Sequence, residues 1–169
     1  MQLNVLKIGK HLTKLGKLTI YYSFIMSNFN HCPLVWHFCG EVNTKKVEKI
    51  QERALRCIYE DYSASYDDLL SKSKLLSLKV RRMRSLAIEV FKVINKECPV
   101  YLQDLIHKIL QNCHKSEQHH MVYIFRYAGT KLWNELPDEF RKQSSLNQFK
   151  TLISSWSGSS CQCFACKTS

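Results

Sequence analysis

Two adjacent aspartates, Asp67 and Asp68, follow a tyrosine in the stretch SASYDDLL (63–70). Two-metal catalysis of phosphoryl transfer needs carboxylates around a pair of metal ions about 4 Å apart, so this pair is the first candidate for chemistry. The neighbouring residues favour another role. Ser65 and Asp68 have the Ser-x-x-acid spacing of a capping box, and two leucines come next. Because acidic side chains stabilise the first turn of a helix, we predict a helix N-terminus here rather than a metal site.

A cluster of cysteines near the end of the sequence is the second candidate. In the stretch CQCFACK, three thiols lie within six residues, at Cys161, Cys163 and Cys166. Thiolates at this spacing could bind zinc, but a structural zinc site has four ligands. The sequence leaves open whether the fourth ligand exists and whether the segment is instead a reduced, exposed tail. A fourth ligand could come from another molecule or from Cys113, His114, His119 or His120.

Basic residues form the third candidate site. The 169-residue chain has a formal net charge of +11, from 25 Lys and Arg against 14 Asp and Glu, and the excess is spread along its length. A spread excess predicts a basic folded surface, which attracts polyanions such as nucleic acid. A basic surface with ordinary helix ion pairs and no such partner is the alternative. The cations that we predict to contact a nucleic-acid backbone are Lys45, Lys49, Arg53, Arg56, Arg81, Arg82 and Arg84.

Helices are the elements expected to position these residues. The sequence has only 5 Gly and 3 Pro, which disfavours turn-rich sandwiches and barrels. The clearest helix is NTKKVEKIQERALRCIY (43–59), where apolar residues recur at three- and four-residue steps beside a basic side. Asn43 is its predicted N-cap. The other predicted helices cover 17–30, 33–39, 77–96, 98–110, 129–137 and 144–156.

One run, MVYIFRY (121–127), has the β-branched and aromatic composition of a strand, although no partner strand is evident. Helices account for the rest of the predicted regular structure, so the expected fold is all-α. It is an irregular bundle of about six to seven helices, with a short strand near 121–127 and a flexible C-terminal tail. The expected divisions are a helical region at 1–112, an irregular connector at 113–128, a C-terminal helical segment at 129–156 and a cysteine-containing tail at 157–169.

The N-terminal sequence indicates the compartment. Lys7, Lys10 and His11 interrupt its apolar residues, so we expect no secretory signal. No apolar run reaches about 18 residues, so no membrane span is predicted. The eight cysteines are then expected to be reduced, buried or metal-bound in an intracellular protein, nuclear or cytoplasmic.

Six phrases, taken in order, resemble the region after the polymerase palm in non-LTR retrotransposon reverse transcriptases of the jockey-like kind. They are YYSFIMSNFNHCPLVWHFCG (21–40), KIQERALRCIYEDY (49–62), SYDDLL (65–70), LAIEVFKVINKECPVYLQDL (86–105), GTKLWNELP (129–137) and SLNQFKTLISSW (145–156). The closing CQCFACK is similar to the cysteine motif that ends many such proteins. The resemblance covers roughly residues 15–167, but the stretch between LQDL and GTKLWN is shorter than in the family.

The resemblance implies a helical, thumb-like and C-terminal segment of an RNA-directed DNA polymerase. In that family the endonuclease and the polymerase palm lie upstream and carry the catalytic acids, whose motifs have no position in this sequence. The expected function is therefore that of a catalytically inert segment that binds RNA or DNA through basic helix faces, without sequence specificity. The missing polymerase domains would be its partners in the parent protein. The alternative is a helical protein-interaction module with no nucleic-acid role.

Overall fold

The structure is a computed structural model of the chain, and it describes residues 12–31, 33, 40–97, 99–100 and 120–156. Within these ranges every regular element is a helix, which confirms the predicted all-α fold. No helix in this part of the chain is long and apolar enough to cross a membrane. The chain divides into two compact units, residues 1–81 and residues 82–169.

The helices of the first unit begin and end at local signals. They are, in chain order, α1 (Lys14–Ile20), a π-helical stretch (Tyr21–Met26), α2 (Ser27–Asn30), α3 (Glu41–Tyr59) and α4 (Tyr66–Ser73). Thr13 caps α1, because its side-chain oxygen accepts a hydrogen bond from the Gly16 N–H at 3.3 Å. Glu60 and Lys74 end α3 and α4 in the left-handed region, where helices commonly terminate.

Apolar side chains from these helices form the core of the first unit. A large apolar side chain contributes about 1.5–3 kcal/mol when it leaves water completely, and an alanine contributes less. One polar residue, Gln51, is equally buried and donates through its Nε2 to the Leu76 carbonyl at 3.2 Å. The apolar periodicity of the sequence predicts a stripe on α3 that does not include this glutamine. The clustered core residues are Tyr21, Ile25, Met26, Ala54, Leu55, Ile58 and Leu69.

The second unit is held by aromatic packing between helices. The helices that reach into it or lie within it are α5 (Leu78–Ile94), α6 (His120–Glu135), α7 (Asp138–Arg141) and α8 (Leu146–Ser155). Phe91 of α5 stacks on Phe149 of α8, with ring centroids 4.4 Å apart. Trp133 of α6 lies 5.9 Å from Phe149 and 6.3 Å from Phe91 between centroids. Three rings therefore join three helices in one cluster.

The strand predicted at 121–127 is wrong, because these residues belong to α6. The helix begins at His120, so the helix predicted to open at Gly129 starts nine residues earlier. Aromatic and β-branched composition is a weak strand signal where no second strand can pair with the first. The spacing of Ala128, Leu132 and Leu136, all buried, follows the helical period instead.

Other helix boundaries agree with the sequence more closely. The helix predicted at 43–59 runs from Glu41 to Tyr59 with Gly40 at its N-cap, so Asn43 lies inside the helix and is not the cap. The boundary between the two units, after residue 81, falls within the predicted helical region 1–112, and α6 crosses the predicted division between 128 and 129. The helices predicted over 33–39 and 98–110 and the tail 157–169 fall almost wholly outside the described residues.

Candidate nucleic-acid interface

The aspartate pair lies in the first turn of α4, as the capping prediction states. The Ser65 side-chain oxygen accepts a hydrogen bond from the Asp68 N–H at 3.2 Å and donates one to the Asp68 carboxylate at 2.7 Å. Both carboxylates are exposed. Within the described part of the chain, no group of three or more His, Cys, Asp or Glu side chains is placed to hold a metal ion. The capping interpretation of SASYDDLL is confirmed.

The exposed side of α3 carries a row of cations. They are Lys45, Lys46, Lys49 and Arg53, all exposed, and we name them the basic ridge. At about 100° per residue, they fall within an arc of about 100° around the helix. Three of these residues were predicted as contacts from the sequence, and Lys46 was not, although the same angular argument includes it.

The cations of the basic ridge have few acidic neighbours. Lys45 pairs with Glu41 one turn earlier, yet its side chain remains 66% exposed. An exposed pair of this kind contributes little and leaves the ammonium available to another anion. The side chains of Lys49 and Arg53 form no hydrogen bond or ion pair with another residue of the described ranges. The ridge is therefore open to a polyanion in solution.

Arg56 lies on the same side of α3 but is used within the fold. Its Nη2 forms an ion pair with Glu52 at 2.7 Å, and its Nη1 donates to the Tyr62 carbonyl at 2.9 Å. A longer bond of 3.4 Å reaches the Ala64 carbonyl. These contacts hold the loop between α3 and α4, so the guanidinium has structural partners that a nucleic acid would have to replace.

The three arginines predicted on α5 also have internal environments. Arg81 donates to the Asn30 side chain at 2.5 Å and contacts the Met26 sulfur. Arg82 is buried, with 5% of its surface exposed, and among the described residues its Nε has no hydrogen-bond partner. The structure therefore does not present Arg81 and Arg82 as a surface cluster.

Arg84 binds the end of a helix instead of lying free. Its Nε and Nη2 both donate to the Trp156 carbonyl at the C-terminus of α8, the first at 2.8 Å. A cation at a helix C-terminus is favoured by the helix dipole. Burial lowers the pKa of Arg84 from its ordinary value, which agrees with an enclosed guanidinium.

Two ion pairs lie at the end of α3, and each shifts the pKa values of the groups that form it. Lys17 is buried and donates to Glu60 at 2.5 Å, and this bond lowers the pKa of the Glu60 carboxyl and raises the pKa of Lys17. Lys72 donates to Asp61 at 2.7 Å. That bond, with the Ala64 N–H and the Ser63 hydroxyl, lowers the pKa of Asp61 to about 2.

The zinc prediction concerns residues that the structure does not describe. Cys161, Cys163 and Cys166 lie outside the described ranges, as do Cys113, His114 and His119. The cysteine cluster therefore stays a prediction from the sequence.

No protein-family model, curated protein or solved structure matches the chain. A function for the basic ridge therefore depends on its geometry, its charge and the six sequence phrases that resemble the reverse transcriptase region.

Proposed function

We propose that the chain is a non-catalytic helical segment of a retrotransposon reverse transcriptase and that it binds nucleic acid through the basic ridge of α3. The ridge would hold phosphates by charge, without reading the base sequence, because lysine and arginine contacts to phosphates position a nucleic acid but do not specify it. The partner expected from this chemistry is RNA or DNA. In the parent protein, the polymerase domains would be further partners.

The spacing of the ridge supports this proposal. Lys45, Lys49 and Arg53 follow one another at four-residue steps, so they span about 12 Å along the helix axis. One strand of a nucleic-acid duplex carries a phosphate for about every 3.4 Å of rise. The ridge is therefore long enough to meet several phosphates in succession.

The exposure of the ridge is the observation that carries the proposal. Four cations share one side of α3, and none of them is buried. Each acidic residue of α3 has a partner within the fold: Glu41 pairs with Lys45, Glu52 pairs with Arg56, and Glu48 accepts bonds from α4 and α5. The charge that remains toward solvent is thus positive, which is the electrostatic footprint of a nucleic-acid-binding surface.

Salt-dependent binding tests the proposal. The full chain is titrated against a fluorescent duplex of random sequence between 50 and 200 mM salt, and anisotropy gives the affinity. The variant Lys49→Gln with Arg53→Gln should bind more weakly, and the slope of log affinity against log salt should fall by about 2, since each lost phosphate contact removes about 0.9.

A charge-matched variant separates the ridge from general basicity. Lys142→Gln with Lys150→Gln removes two exposed cations from the second unit and should leave the slope close to that of the unmodified chain. If both double variants reduce binding equally, or if binding is insensitive to salt, the ridge is not the binding surface.

A helical protein-interaction module is the second candidate, because apolar side chains are exposed in the first unit. Leu15 and Val42 are each largely exposed, on α1 and α3 respectively. If this function is correct, the chain binds a helical partner and does not bind RNA or DNA at low salt. The anisotropy titration therefore distinguishes the two candidates.

A further inference from the structure

The loop between α3 and α4 presents an aromatic side chain to solvent. Tyr62 lies two residues after Glu60, which ends α3, and 69% of its surface is exposed. A tyrosine buries a large area when it packs and carries a polar hydroxyl at its tip. An exposed tyrosine therefore offers a ligand a flat apolar face that tolerates water at its edge.

Hydrogen bonds around Tyr62 fix the backbone that carries its ring. The Arg56 Nη1 donates to the Tyr62 carbonyl at 2.9 Å. The preceding residue, Asp61, accepts the Ala64 N–H at 3.0 Å and the Lys72 ammonium of α4 at 2.7 Å. The loop is thus attached to α3 on one side and to α4 on the other. A backbone that is already ordered loses less entropy when its side chain binds a ligand.

Arg56 places Tyr62 beside the C-terminal end of the basic ridge. It lies three residues after Arg53, about 4.5 Å further along the helix axis. At about 100° per residue it also falls within the arc of the ridge. The bond from Arg56 to the Tyr62 carbonyl is therefore a direct contact between the loop and the side of α3 that carries the exposed cations.

We propose that Tyr62 stacks on an unpaired base of the strand whose phosphates the basic ridge holds. This inference rests on the proposed function, because it assumes that the ridge binds a nucleic-acid backbone. A surface ring stacks on a base only where the base has left its neighbours, which a single strand allows and a closed duplex does not. The ligand class is therefore single-stranded nucleic acid.

The charges next to Tyr62 are compatible with this ligand. Two carboxylates precede it in the sequence, and both are in ion pairs: Glu60 with Lys17 at 2.5 Å and Asp61 with Lys72 at 2.7 Å. Each pair offsets the repulsion that an isolated carboxylate exerts on a phosphate. The ring itself contributes by stacking, which accepts every base and so agrees with a ridge that reads no sequence.

Variants at Tyr62 test the inference in the full chain. A labelled single strand of mixed sequence, a strand of equal length made of abasic sites and a duplex are titrated by anisotropy at low salt. Tyr62→Leu should weaken binding of the mixed-sequence strand by about 5- to 150-fold, the range of one stacked base. Binding of the abasic strand and the duplex should not change, because they offer phosphates without an open base face. Tyr62→Phe retains the ring and should bind like the unmodified chain.

A second exposed ring provides the matched control. Phe24 is 61% exposed and lies in the π-helical stretch rather than in the loop. Phe24→Leu removes an exposed ring by a similar substitution and should not change single-strand affinity. Because the Tyr62 side chain lies mostly in water, Tyr62→Leu should keep the circular dichroism spectrum of the unmodified chain.

The outcomes separate this inference from the proposed function. Single-strand binding that Tyr62→Leu leaves unchanged, or that Phe24→Leu weakens equally, overturns the stacking role and leaves the ridge standing. An equal loss on the mixed-sequence and abasic strands also overturns it, since stacking needs a base. Failure of the unmodified chain to bind any of the three ligands at low salt overturns the proposed function and the stacking role together.

Discussion

At the residue scale, Glu48 shows how one carboxylate can join three helices. From α3 it accepts a hydrogen bond from the Tyr66 hydroxyl of α4 at 2.7 Å. It also accepts the Leu78 and Lys79 N–H groups at the start of α5, at 3.2 and 2.6 Å. A negative charge at a helix N-terminus is stabilising. Burial, followed by the bond to Glu48, raises the pKa of Tyr66, so its phenol stays protonated and continues to donate.

The variant Glu48→Gln should be less stable than the unmodified chain. It replaces a charged acceptor of three hydrogen bonds with a neutral amide, and a bond to a charged group contributes about 1.5–3 kcal/mol. Urea unfolding followed by circular dichroism measures the free-energy difference. Glu41→Gln is the control, because its pair with the exposed Lys45 should contribute less than about 1 kcal/mol. Equal losses in the two variants would contradict the role assigned to Glu48.

At the scale of the elements, Gly129 sets how closely two helices of the second unit approach. A β-carbon built at Gly129 in α6 would lie 2.8 Å from the Val90 Cγ2 atom of α5. Valine is branched at Cβ and has one strongly preferred rotamer in a helix, so its methyl group cannot easily move away. The glycine in the middle of α6 therefore allows close packing at a cost in helix propensity.

Alanine substitutions at two helical glycines should have opposite effects. Gly129→Ala gains about 1 kcal/mol of helix propensity but overpacks the contact with Val90 by about 1–3 kcal/mol, so the net effect is destabilising or neutral. Gly16→Ala meets only ordinary contacts of 3.6 Å or more and should stabilise the chain by about 0.5–1 kcal/mol. Thermal unfolding of both variants measures this contrast, and stabilisation by Gly129→Ala would disprove the close packing.

At the scale of the whole molecule, a net charge of +11 makes the fold sensitive to acid. Protonation of the carboxylates removes the negative charges that offset 25 lysines and arginines, and the remaining positive charges repel one another. Asp61 keeps its negative charge to a lower pH than an ordinary aspartate, because Lys72, Ala64 and Ser63 hold its pKa near 2.

The contribution of Asp61 to stability should disappear between about pH 4 and pH 2. Its pKa falls from 3.8 to about 2 on folding, so its ionised form stabilises the fold above pH 4 and is lost as the pH drops through the folded value. Asp61→Asn removes the charge and keeps a carbonyl acceptor. The difference in unfolding free energy between this variant and the unmodified chain should be constant above pH 4 and shrink toward pH 2. Parallel curves across that window would contradict the shifted pKa.

Lys72→Met provides the complementary measurement. It removes the hydrogen bond that contributes most to the shift, so acid unfolding should begin at a higher pH than in the unmodified chain. An unchanged acid midpoint would show that the Lys72 pair contributes nothing to the folded state.

Features that depend on neighbouring residues can be predicted from the amino-acid sequence alone. The 3.6-residue period predicted the all-α fold and the main helices α3, α5 and α8, and the Ser65–Asp68 spacing predicted the cap of α4. These features follow from interactions within one or two turns. The same period placed Lys45, Lys49 and Arg53 on one side of α3, where the structure finds them exposed.

The packing of the helices determines which cations have partners inside the fold, because those partners lie far away along the chain. Arg84 donates to a carbonyl 72 residues later, and Arg81 to a side chain 51 residues earlier. Glu48 likewise binds N–H groups 30 and 31 residues away. No local period specifies such pairs, which exist only after the helices have packed. A charged residue in the sequence is therefore a candidate contact for nucleic acid, and burial and partner choice in the fold determine whether it can act as one.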